Sequence, residues 1–180
     1  GALGPGALPE LAAALGSDAP FFLRGGAALV RGRGERLEAL PVPRGLTAVL
    51  VKPPFSSGTG AAFARLDRRR GGGEAPAAPP EFGAGVLGKI LAGPPAAWPF
   101  YNDFLPLFLE TPGEEEHYRE ILRALRELGA DFAGLSGSGS GCFGIFTGGG
   151  RAKEAETALG RTWDFVKTAP FRSARGIFKG

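Results

Sequence analysis

Apolar residues return along this chain with two periods, and the switches between them outline its elements. From Thr111 to Leu128, the residues Tyr118, Ile121, Leu122, Leu125 and Leu128 recur every three or four positions, which places them on one face of a helix. Thr111 reads as its cap, Pro112 as its first helical residue and Glu114 as the partner in a capping box. Glu114, Glu115 and Glu116 set negative charge at the positive end of the helix dipole, and Gly129 ends the run. Shorter helices are predicted from Thr59, as cap, to about Leu66, and over Ala152 to Leu159. Leu8 to Leu15 reads as the end of a helix stopped by Gly16.

Short apolar runs between turn residues predict the strands: Phe21 to Leu23, Ala27 to Val30, Arg36 to Leu40, Leu46 to Lys52, Phe132 to Leu135, Cys142 to Thr147 and Trp163 to Thr168. Gly25-Gly26 and Gly32-Arg33-Gly34 are turns between them, and Pro53-Pro54 ends the Leu46 strand. Arg68 to Pro80 lacks periodicity and reads as a solvated loop. From Leu46 onward the order is strand, helices, strand, strand, helix, strand. That order predicts an α+β sandwich with helices on one face of an antiparallel sheet.

Composition narrows the picture. A chain of 180 residues holds one ordinary domain, or one domain and part of a neighbour. The 31 glycines and 16 prolines punctuate Leu, Val and Phe runs, so they mark loops of a folded protein. A net charge of +3 suits anionic ligands but argues little for nucleic acid, and no nucleic-acid partner is expected. The single cysteine rules out an internal disulfide and fits a reducing compartment. One Cys with one His predicts no metal centre of the usual kind. No apolar run reaches the ~18 residues of a membrane span and no signal peptide is visible, so a cytoplasmic location without membrane attachment is expected.

Three places could carry chemistry. Ser136-Gly137-Ser138-Gly139-Ser140-Gly141 lies between two short strands; glycines let backbone N–H groups line a concave nest for phosphate, and the serines add hydroxyl donors. A flexible linker is the alternative. Asp18 sits in a Ser-Asp-Ala-Pro turn, where it either bonds its own backbone or serves as a general base for a hydroxyl. Phe63, on the helix after Thr59, is either core or a face for stacking a base. His117 reads as solvated, and Cys142 as an inert core thiol.

Four stretches, in order, resemble the 4-diphosphocytidyl-2-C-methyl-D-erythritol kinases of the GHMP superfamily. They are Leu15 to Phe22 followed by Gly25-Gly26 and Gly32-Arg33-Gly34-Glu35; Lys52-Pro53-Pro54-Phe55 with Thr59 and Phe63; Asn102-Asp103-Phe104; and Leu135 to Ser140 with Phe143 and Phe146. The resemblance implies a GHMP kinase fold, with residues 1–44 the end of an ATP-binding domain and residues 45–180 a complete ferredoxin-like C-terminal domain. It implies ATP-dependent phosphorylation of the 2-hydroxyl of 4-diphosphocytidyl-2-C-methyl-D-erythritol, with magnesium accompanying ATP. Asp18 would then be the catalytic base. Phe63 would stack on the cytosine with Thr59 nearby, and Ser136, Gly137, Ser138, Gly139 and Ser140 would lie beside the phosphates. The family's PxGxGLGGGSS loop and its early lysine have no counterpart in these 180 residues. The expectation is a chain truncated at its N-terminus and inactive alone. A GHMP kinase for homoserine or mevalonate, and a non-catalytic anion-binding module, are the rival readings.

Overall fold

A computed structural model describes residues 7–71 and 82–172. In chain order they form α1 (Ala7–Leu15), α2 (Ala19–Arg24), β1 (Ala27–Arg31), β2 (Arg36–Leu40), β3 (Leu46–Lys52), α3 (Thr59–Gly71), α4 (Ala84–Ala92), α5 (Leu105–Leu109), α6 (Glu115–Glu127), β4 (Phe132–Leu135), β5 (Cys142–Thr147), α7 (Gly149–Leu159) and β6 (Phe165–Pro170). A single 3₁₀ turn, Pro95–Ala97, separates α4 from α5. The described chain divides into two compact units, residues 7–44 with 82–92, and residues 45–71 with 93–171.

In the first unit β1 and β2 form an antiparallel hairpin, from Ala27 opposite Leu40 to Arg31 opposite Arg36, as predicted. α4 packs on β2, where Gly88 meets the Pro41 ring. The predicted strand Phe21 to Leu23 is instead part of α2. Pro20 supplies a φ suited to a first helical turn, and a run of three apolar residues fits either period. Phe21 N donates to Asp18 O at 3.1 Å, and Gly25 N closes the helix on Phe21 O at 2.7 Å.

The second unit is a four-stranded antiparallel sheet in the order β4-β5-β3-β6. With helices between β3 and β4 and between β5 and β6, this is the split βαβ arrangement of a ferredoxin-like domain. Central β3 is buried on both faces. Val49 and Val51 meet Tyr118, Ile121 and Leu125 of α6, and Ala152 and Ala155 of α7, in the main core. Leu46 and Ala48 join Ile145, Trp98 and Phe132 in a smaller cluster. Each Val, Leu or Ile side chain so enclosed contributes roughly 1.5–3 kcal/mol.

The buried face of α6 is the predicted one. Its end is also as read: Gly129 N donates to Arg126 O and Ala130 N to Leu125 O, the paired bonds of a Schellman stop. Its start differs. The helix begins at Glu115, and the Thr111 hydroxyl donates to Leu107 O at 2.7 Å, so it is spent on α5 rather than on capping α6. Helix α3 begins with Gly58 O accepting from Ala62 N, which makes Thr59 its first residue and not its cap. It also runs past Leu66 to Gly71, so Arg68 to Arg70 form a last helical turn instead of a loop. Arginine is a good helix former and suits the negative end of the dipole. Arg69 pairs with Glu110 at 2.8 Å and Arg70 with Asp103 at 3.0 Å. The rest of that predicted loop, residues 72–80, lies outside the described residues.

Candidate functional site: a tethered glycine-serine loop

The β4–β5 connection is a compact loop. Ser136 N donates to Gly141 O at 2.8 Å, and Gly139 N to Ser136 O at 3.0 Å. Two side chains and one backbone carbonyl from distant parts of the chain tie it down. Asn102 Nδ2 donates to Leu135 O at 3.0 Å and to Gly137 O at 2.8 Å, while its Oδ1 accepts from Phe104 N at 2.8 Å. Thr59 Oγ1 and Ser138 Oγ share a hydrogen bond of 3.0 Å. Ser140, only 5% exposed, donates its hydroxyl to Phe55 O at 2.8 Å. A flexible linker would have none of these bonds.

The tethers use side chains and carbonyls and leave donors over. Among the described residues, the N–H groups of Gly137, Ser138 and Gly141 meet no protein acceptor. Glycine at 139 is required by geometry: its φ is +84°, and an added Cβ would lie 3.1 Å from the Phe108 ring and 3.4 Å from the Tyr118 hydroxyl. Beside the loop is a cleft of about 370 Å³ lined by Lys52, Ser56, Ser57, Ser136, Ser140 and Phe165. Backbone N–H groups, hydroxyls and one ammonium make a donor set suited to phosphate oxygens.

Phe63 is not a core residue. It is 50% exposed, one helical turn after Thr59, and stands edge-to-face against Phe104 with centroids 5.0 Å apart. A half-open ring held in this way keeps area for a planar ligand. His117 is likewise not simply solvated; it is half-buried and packs on Phe55 at 5.6 Å. Cys142 is the inert thiol expected, buried in the core, and burial pushes it up to about 12. Among the described residues no group of His, Cys, Asp and Glu could hold a metal ion.

Asp18 belongs to the first unit. It occupies the position before α2, is exposed, and makes no side-chain capping bond. Its turn is placed by backbone contact. Gly34, at φ +109°, lies so close to the Ser17 carbonyl that a Cβ there would come within 1.9 Å of the oxygen. The Ser17-Asp18 and Gly32 to Glu35 motifs therefore meet. Glu35 Oε2 accepts from Arg33 N at 2.6 Å, and backbone hydrogen bonds hold this carboxyl below the usual carboxylate range.

Local reading assigned no role to Lys52, Ser56, Ser57 or Asn102. Lys52 and Asn102 did lie in stretches quoted for the resemblance, which was the available signal.

Residues 97–164 match the family model for the C-terminal region of GHMP kinases, and the fold is that of a GHMP kinase C-terminal domain. The particular kinases it resembles are 4-diphosphocytidyl-2-C-methyl-D-erythritol kinases. That of Treponema pallidum is 35% identical over 161 residues, 87% of this chain and 54% of the relative. That of Anaeromyxobacter dehalogenans is 38% identical over 158 residues, 85% of this chain and 46% of the relative. A crystal structure of 4-(cytidine 5'-diphospho)-2C-methyl-D-erythritol kinase matches with a TM-score of 0.68 at 31% identity, covering 89% of this chain and 55% of that one. Homoserine kinase from Cytophaga hutchinsonii, at 21% identity and a TM-score of 0.54 over 87% of this chain and 50% of its own, shares the fold. The chain thus spans about half the length of the curated relatives it matches.

Proposed function

We propose that this chain is part of a kinase that transfers the γ-phosphoryl group of ATP to the 2-hydroxyl of 4-diphosphocytidyl-2-C-methyl-D-erythritol, a step in making isoprenoid precursors. The observation that carries the reading is the Ser136–Gly141 loop, whose accessible N–H groups are left free while Thr59, Asn102 and Phe55 hold it in place. In this reading Gly137, Ser138 and Gly141 donate to phosphoryl oxygens, each such charge-assisted bond worth about 1.5–3 kcal/mol. Thr59 links the loop to α3, and Phe63 offers its open ring to the cytosine. Asp18, unengaged by its own backbone, orients and accepts the proton of the attacking hydroxyl. ATP supplies the phosphoryl group. The loop's donors fit its phosphates, and magnesium would be held chiefly by those phosphates, as is common for this ion.

Calorimetric titration of the 180-residue chain with 4-diphosphocytidyl-2-C-methyl-D-erythritol, homoserine and mevalonate tests the substrate. The cytidine compound is expected to bind and the two simple acids are not; the reverse order would overturn the assignment. In the whole enzyme, Asp18→Asn is expected to keep substrate affinity and lower phosphoryl transfer by about 10²–10⁴-fold. Turnover at the parent rate would remove Asp18 from its role.

A further inference from the structure

Tyr118 looks at first like an ordinary core residue on the buried face of α6. It is 0% exposed, its ring stacks on Phe108 at 5.0 Å, and it meets Phe55 edge-on at 5.7 Å. Phenylalanine would satisfy all of that packing. Yet the chain places a hydroxyl there, and among the described residues that hydroxyl has no hydrogen-bond partner. Leaving a buried hydroxyl unpaired costs roughly 1–3 kcal/mol, so the group is a liability unless another arrangement of the same residues uses it.

The position of the hydroxyl identifies that arrangement. It lies against Gly139, 3.4 Å from where a Cβ would stand on that residue. The known tethers act on other parts of the loop: Asn102 on the Leu135 and Gly137 carbonyls, Thr59 on the Ser138 hydroxyl, and Phe55 on the Ser140 hydroxyl. The Ser140 carbonyl faces the Cys142 thiol at 4.0 Å. Among the described residues, the carbonyls of Ser138 and Gly139 accept nothing. An unpaired donor thus lies against Gly139, in a loop whose Ser138 and Gly139 carbonyls and Gly137, Ser138 and Gly141 N–H groups are also unpaired among the described residues.

We propose that Tyr118 is a positioning residue for this loop, its hydroxyl taking the Ser138 or Gly139 carbonyl as acceptor when the loop closes on a phosphate. The inference rests on reading the loop as a phosphate element. The Ser138 and Gly139 carbonyls belong to peptide units that lie between the free Ser138 and Gly141 N–H groups, so a bond from Tyr118 would hold in place the backbone that presents those donors to a phosphate. The hydroxyl is buried, so it acts through the backbone and does not touch the ligand. The bond would convert a cost of the free loop into a gain of the occupied one.

The test compares the parent 180-residue chain with Tyr118→Phe, using inorganic phosphate as the probe and reading affinity by calorimetry and the thermal midpoint without ligand. Tyr118→Phe is expected to bind phosphate roughly five- to tenfold more weakly. Its thermal midpoint without phosphate should equal or exceed that of the parent. Only two tyrosines are present, so Tyr101→Phe leaves Tyr118 as the sole source of the Raman tyrosine doublet, which reports hydroxyl bonding. That doublet should move from unbonded to donor as phosphate is added. Equal affinities, a doublet that ignores phosphate, or a lower midpoint in Tyr118→Phe would each overturn the role of Tyr118 alone. Absence of phosphate binding in the parent chain would overturn the reading of the loop as well.

Discussion

The Ser136–Gly141 loop and the Ser17-Asp18 turn are both glycine-assisted, yet they are held by different means. The loop is fixed by side-chain hydrogen bonds, from Thr59 and Asn102 to the loop and from the loop's Ser140 to the Phe55 carbonyl, that join positions far apart in sequence. The turn is fixed by backbone packing, the Ser17 carbonyl resting on Gly34. The loop keeps its N–H groups free because side chains carry the load, whereas the turn leaves the Asp18 carboxylate free because it needs no side-chain bond. Two solutions to placing an unengaged polar group imply two patterns of sensitivity to mutation.

Gly34→Ala should have the largest effect. Its Cβ would strike a backbone oxygen, which cannot rotate away, and the residue would also have to keep a positive φ. A loss of about 3 kcal/mol or more is expected from chemical denaturation, with early hydrogen exchange in α2. A well-tolerated alanine would mean that the turn is not locked by contact with Gly34. Asn102→Ala comes next. It removes three hydrogen bonds, one of them to the carbonyl of buried Leu135, for an expected loss of about 2–3 kcal/mol, while exchange at the bonded loop amides of Ser136 and Gly139 rises. If loop exchange is unchanged, Asn102 is not a tether and the contrast between the two regions fails.

The effect that is smallest near neutral pH concerns Cys142, beneath the loop. Its folded-state pKa, raised by burial to about 12 from an ordinary 9.0, means that the unfolded chain gives up this proton first as pH rises. The contribution is therefore whole below about pH 9 and is lost between 9 and 12, at about 1.4 kcal/mol per pH unit. Cys142→Ala should flatten the alkaline limb of the stability curve by about that slope. An unchanged limb would show that the thiol ionises in place.

Much of the fold was legible because its signals are local. β2, β3, β4 and β5 have the bounds their apolar runs announced, and the Tyr118 to Leu125 stripe is the buried face of α6. Misreadings occurred where local rules compete. Phe21 to Leu23 is too short to distinguish two periods. Thr111 has the right neighbours for a cap, but Leu107 O takes its hydroxyl. The arginine run reads locally as a loop because its partners, Glu110 and Asp103, are more than thirty residues away. The site was legible as a glycine-serine segment and as motifs in order. How the pieces join was not: Ser140 with Phe55 and Ser138 with Thr59 are contacts across 85 and 79 positions, which no periodicity encodes. Tyr118 was hidden for the opposite reason, since a helical stripe already accounted for it.

The central claim is that the loop is a seat for phosphate, prepared by its tethers. It is tested most directly by titrating the ¹⁵N-labelled chain with inorganic pyrophosphate and following backbone amides. Gly137, Ser138 and Gly141 should move together along one saturating curve, with the Asn102 side-chain amide following them. Loop amides that stay fixed while those around Arg68 to Arg70 drift without saturation would contradict the account.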